Sequence, residues 1–155
     1  MTPTTVNGIE ELRELVGQTL GPSDWREVSQ DDINKFAEVS RDHQWIHVDV
    51  ERAKTESPFG TTIAHGNLTL CLLDSFRSEL FRSDGFKMGI NYGWNKVRFP
   101  APVPAGSNVR ATAEIQSVDE LGDGWVQVAT KFTLEREGGE KPVCVAESVG
   151  RALRE

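Results

Sequence analysis

Cysteine is almost absent. Cys71 and Cys144 stand far apart in a chain of 155 residues, with no Cys-x-x-Cys spacing and no clustered histidines beside them. That pattern gives neither a disulfide framework nor a zinc signature, and two buried free thiols are expected. Basic residues are also in short supply, 17 Lys and Arg against 24 Asp and Glu, for a formal net charge of −7. With no basic stripe anywhere, a nucleic-acid partner is not expected. An anionic small ligand is still compatible, since a few local Lys or Arg can hold a phosphate. No stretch reaches the roughly 18 apolar residues that a membrane span needs. Met1 is followed by polar residues rather than a basic stretch and an apolar run, so no secretory signal is expected either. The default location is cytoplasmic.

What is present is enough for one domain, which at this length buries roughly 68–70% of its unfolded-chain surface. Residues 1–8 are Thr-rich and are expected to be flexible, with a single domain over 9–155. Glu10 to Val16 reads as a short helix stopped by Gly17 and by Gly21-Pro22. Trp25 to Val28 fits a strand. Ser29 then caps a helix, with Asp31 and Asp32 at its positive end and Ile33, Phe36 and Ala37 on one face. That helix must stop near Ser40, and Arg41 to His47 fits neither regular period. From Ile63 to Phe81 a second, longer helix is predicted. Leu68, Leu70, Cys71, Leu72 and Leu73 point several ways around it, as in a buried helix.

The second half alternates. Val109, Ala111, Ala113 and Ile115 take turns with polar residues, and so do Val126, Val128, Thr130, Phe132 and Leu134. Gly138-Gly139 supplies a hairpin turn. Met88 to Phe99 and Val143 to Leu153 give two more strands. Pro100, Pro102 and Pro104 separate the first of them from the alternation that begins at Val109. A buried helix followed by four long antiparallel strands needs a sheet that curls around the helix. The fold class is therefore α+β, a hot-dog fold with a long central helix wrapped by a curled antiparallel β-sheet.

Two clusters hold chemistry. Asp42 and His47 form a plausible general acid/base pair in the irregular segment, although an acid and an imidazole five apart also fit a solvated loop. Ala64-His65-Gly66 opens the long helix, where free N–H groups and the positive dipole end suit an anion or a polarised carbonyl oxygen. Gly66 permits close approach of a ligand to the backbone, and equally fits plain helix–sheet packing.

Together the run Asp42-His43-Gln44-Trp45-Ile46-His47 and the later Ala64-His65-Gly66 resemble the MaoC-like dehydratase, or (R)-specific enoyl-CoA hydratase, family. The likeness is strongest to its nodulation-protein-N-like branch. It extends over roughly residues 15 to 153 and takes in Glu56 to Gly60, Gly89 to Gly93 and Asn95 to Pro100. Gln44 stands where the general pattern has Asn, and Trp45 where it often has Pro. The resemblance implies reversible hydration of trans-2-enoyl thioesters to (3R)-hydroxyacyl thioesters. Asp42 and His47 would then hold the water, and the Gly66 N–H would face the thioester oxygen. Gln44, Trp45, His65, Asn67 and Tyr92 would bind substrate, with His65 bracing the helix start. No metal or redox cofactor is implied, the substrate itself carrying coenzyme A or an acyl-carrier phosphopantetheine. Lys96, Arg98 and Arg110 are candidate phosphate contacts, and His43 is expected to be exposed. A homodimer joined at sheet edges is the expected assembly.

Fold does not fix function, and an acyl-CoA thioesterase is the competing enzyme. It can work from a carboxylate and a helix-end N–H without a partnered histidine. A non-catalytic acyl-binding subunit of a dehydratase complex is the third possibility. A pure binding module gains nothing by keeping both Asp42 and His47 in a pocket.

Overall fold

Alternation along three successive strands builds the floor of the molecule. In the computed structural model, which describes residues 1–155, these strands are β6 (Ser107–Gly122), β7 (Trp125–Arg136) and β8 (Cys144–Arg154). Each pairs antiparallel with the next in sequence. Val109, Ala111, Ala113, Ile115, Val126, Phe132, Leu134 and Ala146 are almost completely buried on one face, as period two requires. Gly122, Asp123 and Gly124, all at positive φ, make the turn from β6 to β7. Before them come β1 (Thr4–Asn7), α1 (Gly8–Glu14), β2 (Thr19–Leu20), β3 (Arg26–Val28), α2 (Gln30–Ser40), α3 (Trp45–Val48) and α4 (Val50–Glu56). The long helix α5 (Gly66–Leu80), β4 (Phe81–Asp84) and β5 (Phe86–Arg98) complete the chain.

The large sheet runs β2-β6-β7-β8-β5, with β3 also paired to β6. The outer side of β5 pairs with nothing. α5 packs across β6, β7 and β8 through Leu68, Leu73, Phe76 and Leu80, which share the core with the sheet's buried face. This is the hot-dog arrangement that the sequence predicts.

Three expectations need correcting. Thr4–Asn7 is not loose: it pairs in parallel with Phe81–Asp84, and Val6 is buried at 5% exposure. Alternation in so short a segment is no signal, and its partner lies far away in sequence. Second, α5 is not covered all round. Leu70 and Leu72 are half-buried and Cys71 is exposed, because the sheet curls over one side only. Third, only Cys144 is therefore a buried thiol.

Candidate active site

The site begins with how α2 ends. Ser29 caps that helix in a reciprocal box: its Oγ accepts from the Asp32 N–H at 3.1 Å, and the Asp32 carboxylate accepts from the Ser29 N–H at 3.2 Å. At the other end Arg41 takes φ 64°, a left-handed turn that throws the chain off the helix axis. Asp42 comes directly after it. Its N–H donates to Ser40 Oγ at 3.2 Å, and its Oδ1 accepts from the Gln44 N–H at 3.3 Å. The carboxylate is thus oriented by its own loop.

One turn of helix, α3, then delivers His47. The ring is buried at 6% exposure, and its Nδ1 lies 2.7 Å from the Ile63 carbonyl oxygen. A carbonyl can only accept, so Nδ1 carries the hydrogen and Nε2 is left with a free lone pair. Gln30 of α2 secures the same turn from behind, donating from Nε2 to the His47 carbonyl at 2.8 Å and accepting from the Thr62 hydroxyl. Burial holds His47 below its ordinary value of 6.5, with the Ile63 hydrogen bond opposing, the charge of His65 reinforcing and that of Asp42 opposing.

The segment before α5 brings the second cluster alongside. Ile63 N–H donates to the Ile46 carbonyl at 3.0 Å, and Ala64 N–H to Val103 at 2.8 Å. His65 then stacks on His47, ring centres 3.8 Å apart and planes 24° from parallel. Its Nε2 donates to the Asp42 carbonyl at 3.0 Å. Ligand-type atoms of Asp42, His47 and His65 all lie within 4.8 Å of one another. They do not suit a metal ion. Imidazole lone pairs lie in the ring plane, and two stacked, near-parallel rings cannot both meet one ion at the ~2.0–2.1 Å of an imidazole–metal bond.

Gly66 is the first residue of α5, where N–H groups have no partner within the helix. A Cβ there would lie 2.8 Å from Cδ2 of Phe99, so glycine is what lets that ring close over the helix start. A cavity of about 310 Å³ opens beside it, lined by Phe59, Ile63, Gly66, Thr69, Phe99 and Val143 among others. A larger cavity of about 630 Å³ lies around Arg77, Arg82 and Arg151, and no residue from 42 to 67 lines it. Only the smaller one adjoins the helix start at Gly66, and Asp42, His47 and His65 line neither of the two.

Asp42, His47, His65 and Gly66 are thus brought together. Gln44 and Trp45 flank His47, the first exposed, the second half-buried under the Arg52 guanidinium at 4.2 Å. Asn67 is exposed on the first turn of α5. Tyr92 lies on β5, 59% exposed beneath the Arg151 guanidinium at 3.5 Å. Neither Asn67 nor Tyr92 lines the cavity at Gly66. His43 is exposed, as are Lys96 and Arg98, while Arg110 is tied to Glu135 at 2.5 Å. Sequence reasoning missed Ile63, which acts through its backbone, and Phe99, whose only signal was a place in the matching stretch Asn95 to Pro100.

Residues 11–136 match the model of the MaoC like domain. The 3-hydroxyacyl-thioester dehydratase Z of Mycobacterium tuberculosis is 51% identical over 147 residues, 95% of this chain and 97% of that protein. Nodulation protein N of Rhizobium leguminosarum bv. viciae is 42% identical over 139 residues, 89% and 86% of the two chains. Among solved structures, the unliganded R-hydratase of Pseudomonas aeruginosa superposes with a TM-score of 0.68 at 28% identity, covering 90% of this chain and 83% of that one. By family model, by relatives along nearly its whole length and by fold, the chain belongs to the MaoC-like domain family.

Proposed function

We propose that this protein is an (R)-specific enoyl thioester hydratase and, in reverse, a 3-hydroxyacyl-thioester dehydratase. The observation that carries the reading is the pinned tautomer of His47. Its Nδ1–H is committed to the Ile63 carbonyl, so Nε2 is free to act as a base, and a ring nitrogen of His47 lies within 4.8 Å of an Asp42 carboxylate oxygen. The names of the dehydratase at 51% identity and of the R-hydratase point the same way.

The chemistry adds water across the C2–C3 double bond of a trans-2-enoyl thioester. A water held between Asp42 and His47 gives a proton to His47 Nε2 as its oxygen bonds to C3. Negative charge moves onto the thioester oxygen, where the Gly66 N–H at the positive end of α5 stabilises it. The pair returns a proton to C2, and the site ends in the state in which it began. No step calls for a metal or a redox cofactor, and the substrate brings its own coenzyme A or phosphopantetheine. The apolar wall of Phe59, Phe99 and Val143 suits an acyl thioester.

Homodimerisation through the free side of β5 is part of the same proposal. That strand offers an unpaired backbone edge, with Met88, Ile90 and Tyr92 exposed by 49, 41 and 59%.

Incubation with crotonyl-CoA tests the activity. Loss of enoyl absorbance without release of free thiol is the expected result. Rapid thiol release would replace the reading with a thioesterase, and neither signal would leave a binding subunit.

A further inference from the structure

His65 stands at a position whose ordinary purpose it does not serve. It is the N-cap of α5, yet its side chain makes no capping hydrogen bond. Ser, Thr, Asp or Asn would satisfy an orphan N–H there. Instead an imidazole is buried at 3% exposure with its Nδ1 lacking any partner, a costly choice on stability grounds alone. What the ring does touch is the rest of the site. Its Nε2 donates to the Asp42 carbonyl at 3.0 Å, and one face lies against His47 at 3.8 Å. Phe36 of α2 packs against the same ring, centres 4.8 Å apart and planes tilted by 57°. Its own carbonyl accepts the Leu68 and Thr69 N–H groups that start the helix, one residue from Gly66.

We infer that His65 is a positioning residue, joining the Asp42 loop, the His47 ring and the Gly66 N–H into one rigid unit. This rests on the hydratase reading for its purpose, but not for its geometry. Without the ring, the Asp42 backbone loses a donor and His47 loses the wall that fixes its tilt. The carboxylate and Nε2 would then no longer converge on one water. The neighbours of His47 are few. Asp42 and His65 supply the charges that act on it, α2 presents the uncharged Gln30, and the segment before α5 presents the Ile63 carbonyl.

The test uses the full chain and two variants. His65→Leu removes the donor and the aromatic face. His65→Gln keeps a donor near the position of Nε2. In crotonyl-CoA hydration, His65→Leu is expected to lose ~10–100-fold in kcat with KM changed only about threefold or less, since a misplacement of ~1 Å can cost 10². His65→Gln is expected to recover about tenfold of that loss, with its acid limb moved to higher pH because the imidazole opposing protonation of His47 is gone. A folded His65→Leu protein within about threefold of the parent overturns the inference. So does a Gln variant no better than the Leu one. Nitrogen-15 spectra of the imidazoles decide independently of turnover, because the chain has only 3 histidines to assign. The parent is expected to show His65 protonated on Nε2 and His47 on Nδ1. A proton on Nδ1 of His65 instead would leave the Asp42 carbonyl without its donor and refute the assignment. A parent that fails to hydrate crotonyl-CoA sinks the enzymatic reading, while the tautomers still settle this one.

Discussion

The carbonyl oxygen of Ile63 decides which nitrogen of His47 is free, and the consequences can be measured one residue at a time. Asp42→Asn and His47→Gln each keep size and hydrogen bonding while removing proton transfer, so each is expected to cost about 10²–10⁴ in kcat. The double variant should be scarcely worse than either alone, because both groups handle one water. Steady-state hydration of crotonyl-CoA by the three proteins checks this, and a single variant within a few-fold of the parent refutes it. The same burial that makes His47 a base sets a pH signature. Its native value lies below 6.5, so the acid limb of kcat/KM is expected below the midpoint of an ordinary histidine. Between that depressed value and 6.5 the unfolded chain binds the extra proton. Folding stability from His47 should therefore fall as pH drops through this window and level off beneath it, as denaturant titrations would show. At Gly66 a methyl group would meet Phe99 at 2.8 Å. Gly66→Ala is expected to lower kcat, and Phe99→Ala in the same chain to restore part of the loss. Additive effects in that double-mutant cycle would disconnect the two residues.

Among the elements, α2 has the clearest local cause and a long reach, since its last turn launches Asp42. Removing its box with Ser29→Ala should cost about 0.5–2 kcal/mol in urea denaturation, without a change in the His47 tautomer. The cysteines report on two other elements. Cys71 is exposed on α5, its thiol pushed up by partial loss of solvation at the sulfur and by the charge of Asp74. Cys144 on β8 is fully buried, its thiol pushed up to about 11. Alkylation of the native protein should modify Cys71 slowly and Cys144 only as the sheet opens, and two equal rates would contradict the fold. How far each element was legible depends on the range of its determinants. Ser29-x-x-Asp32 and the alternations through 109–115 and 126–134 are local, and sequence read them correctly. β1 is four residues long and exists because β4 lies beside it. The exposure of Cys71 depends on how far a sheet curls. The Asp42–His47 pair and the helix start at Gly66 were visible as side-chain motifs. The Ile63 carbonyl was not, because backbone atoms carry no residue signature, and Phe99 reaches Gly66 only through tertiary folding.

At the scale of the whole molecule the proposed homodimer rests on the free side of β5. Light scattering at micromolar concentration should give the mass of two chains, and Met88→Lys with Ile90→Lys should give one. A parent that runs as one chain would remove the dimer from the proposal. The strand order β6-β7-β8-β5 carries one more consequence, which concerns the time of synthesis. β5 leaves the ribosome well before β8, the strand it must pair with, while β6 and β7 emerge between them. Through that interval α5 has no complete sheet to lie on, and β5 has neither edge paired. The nascent chain is then most exposed to sticking to its neighbours, and the danger passes only when β8 has been made and slots between β7 and β5.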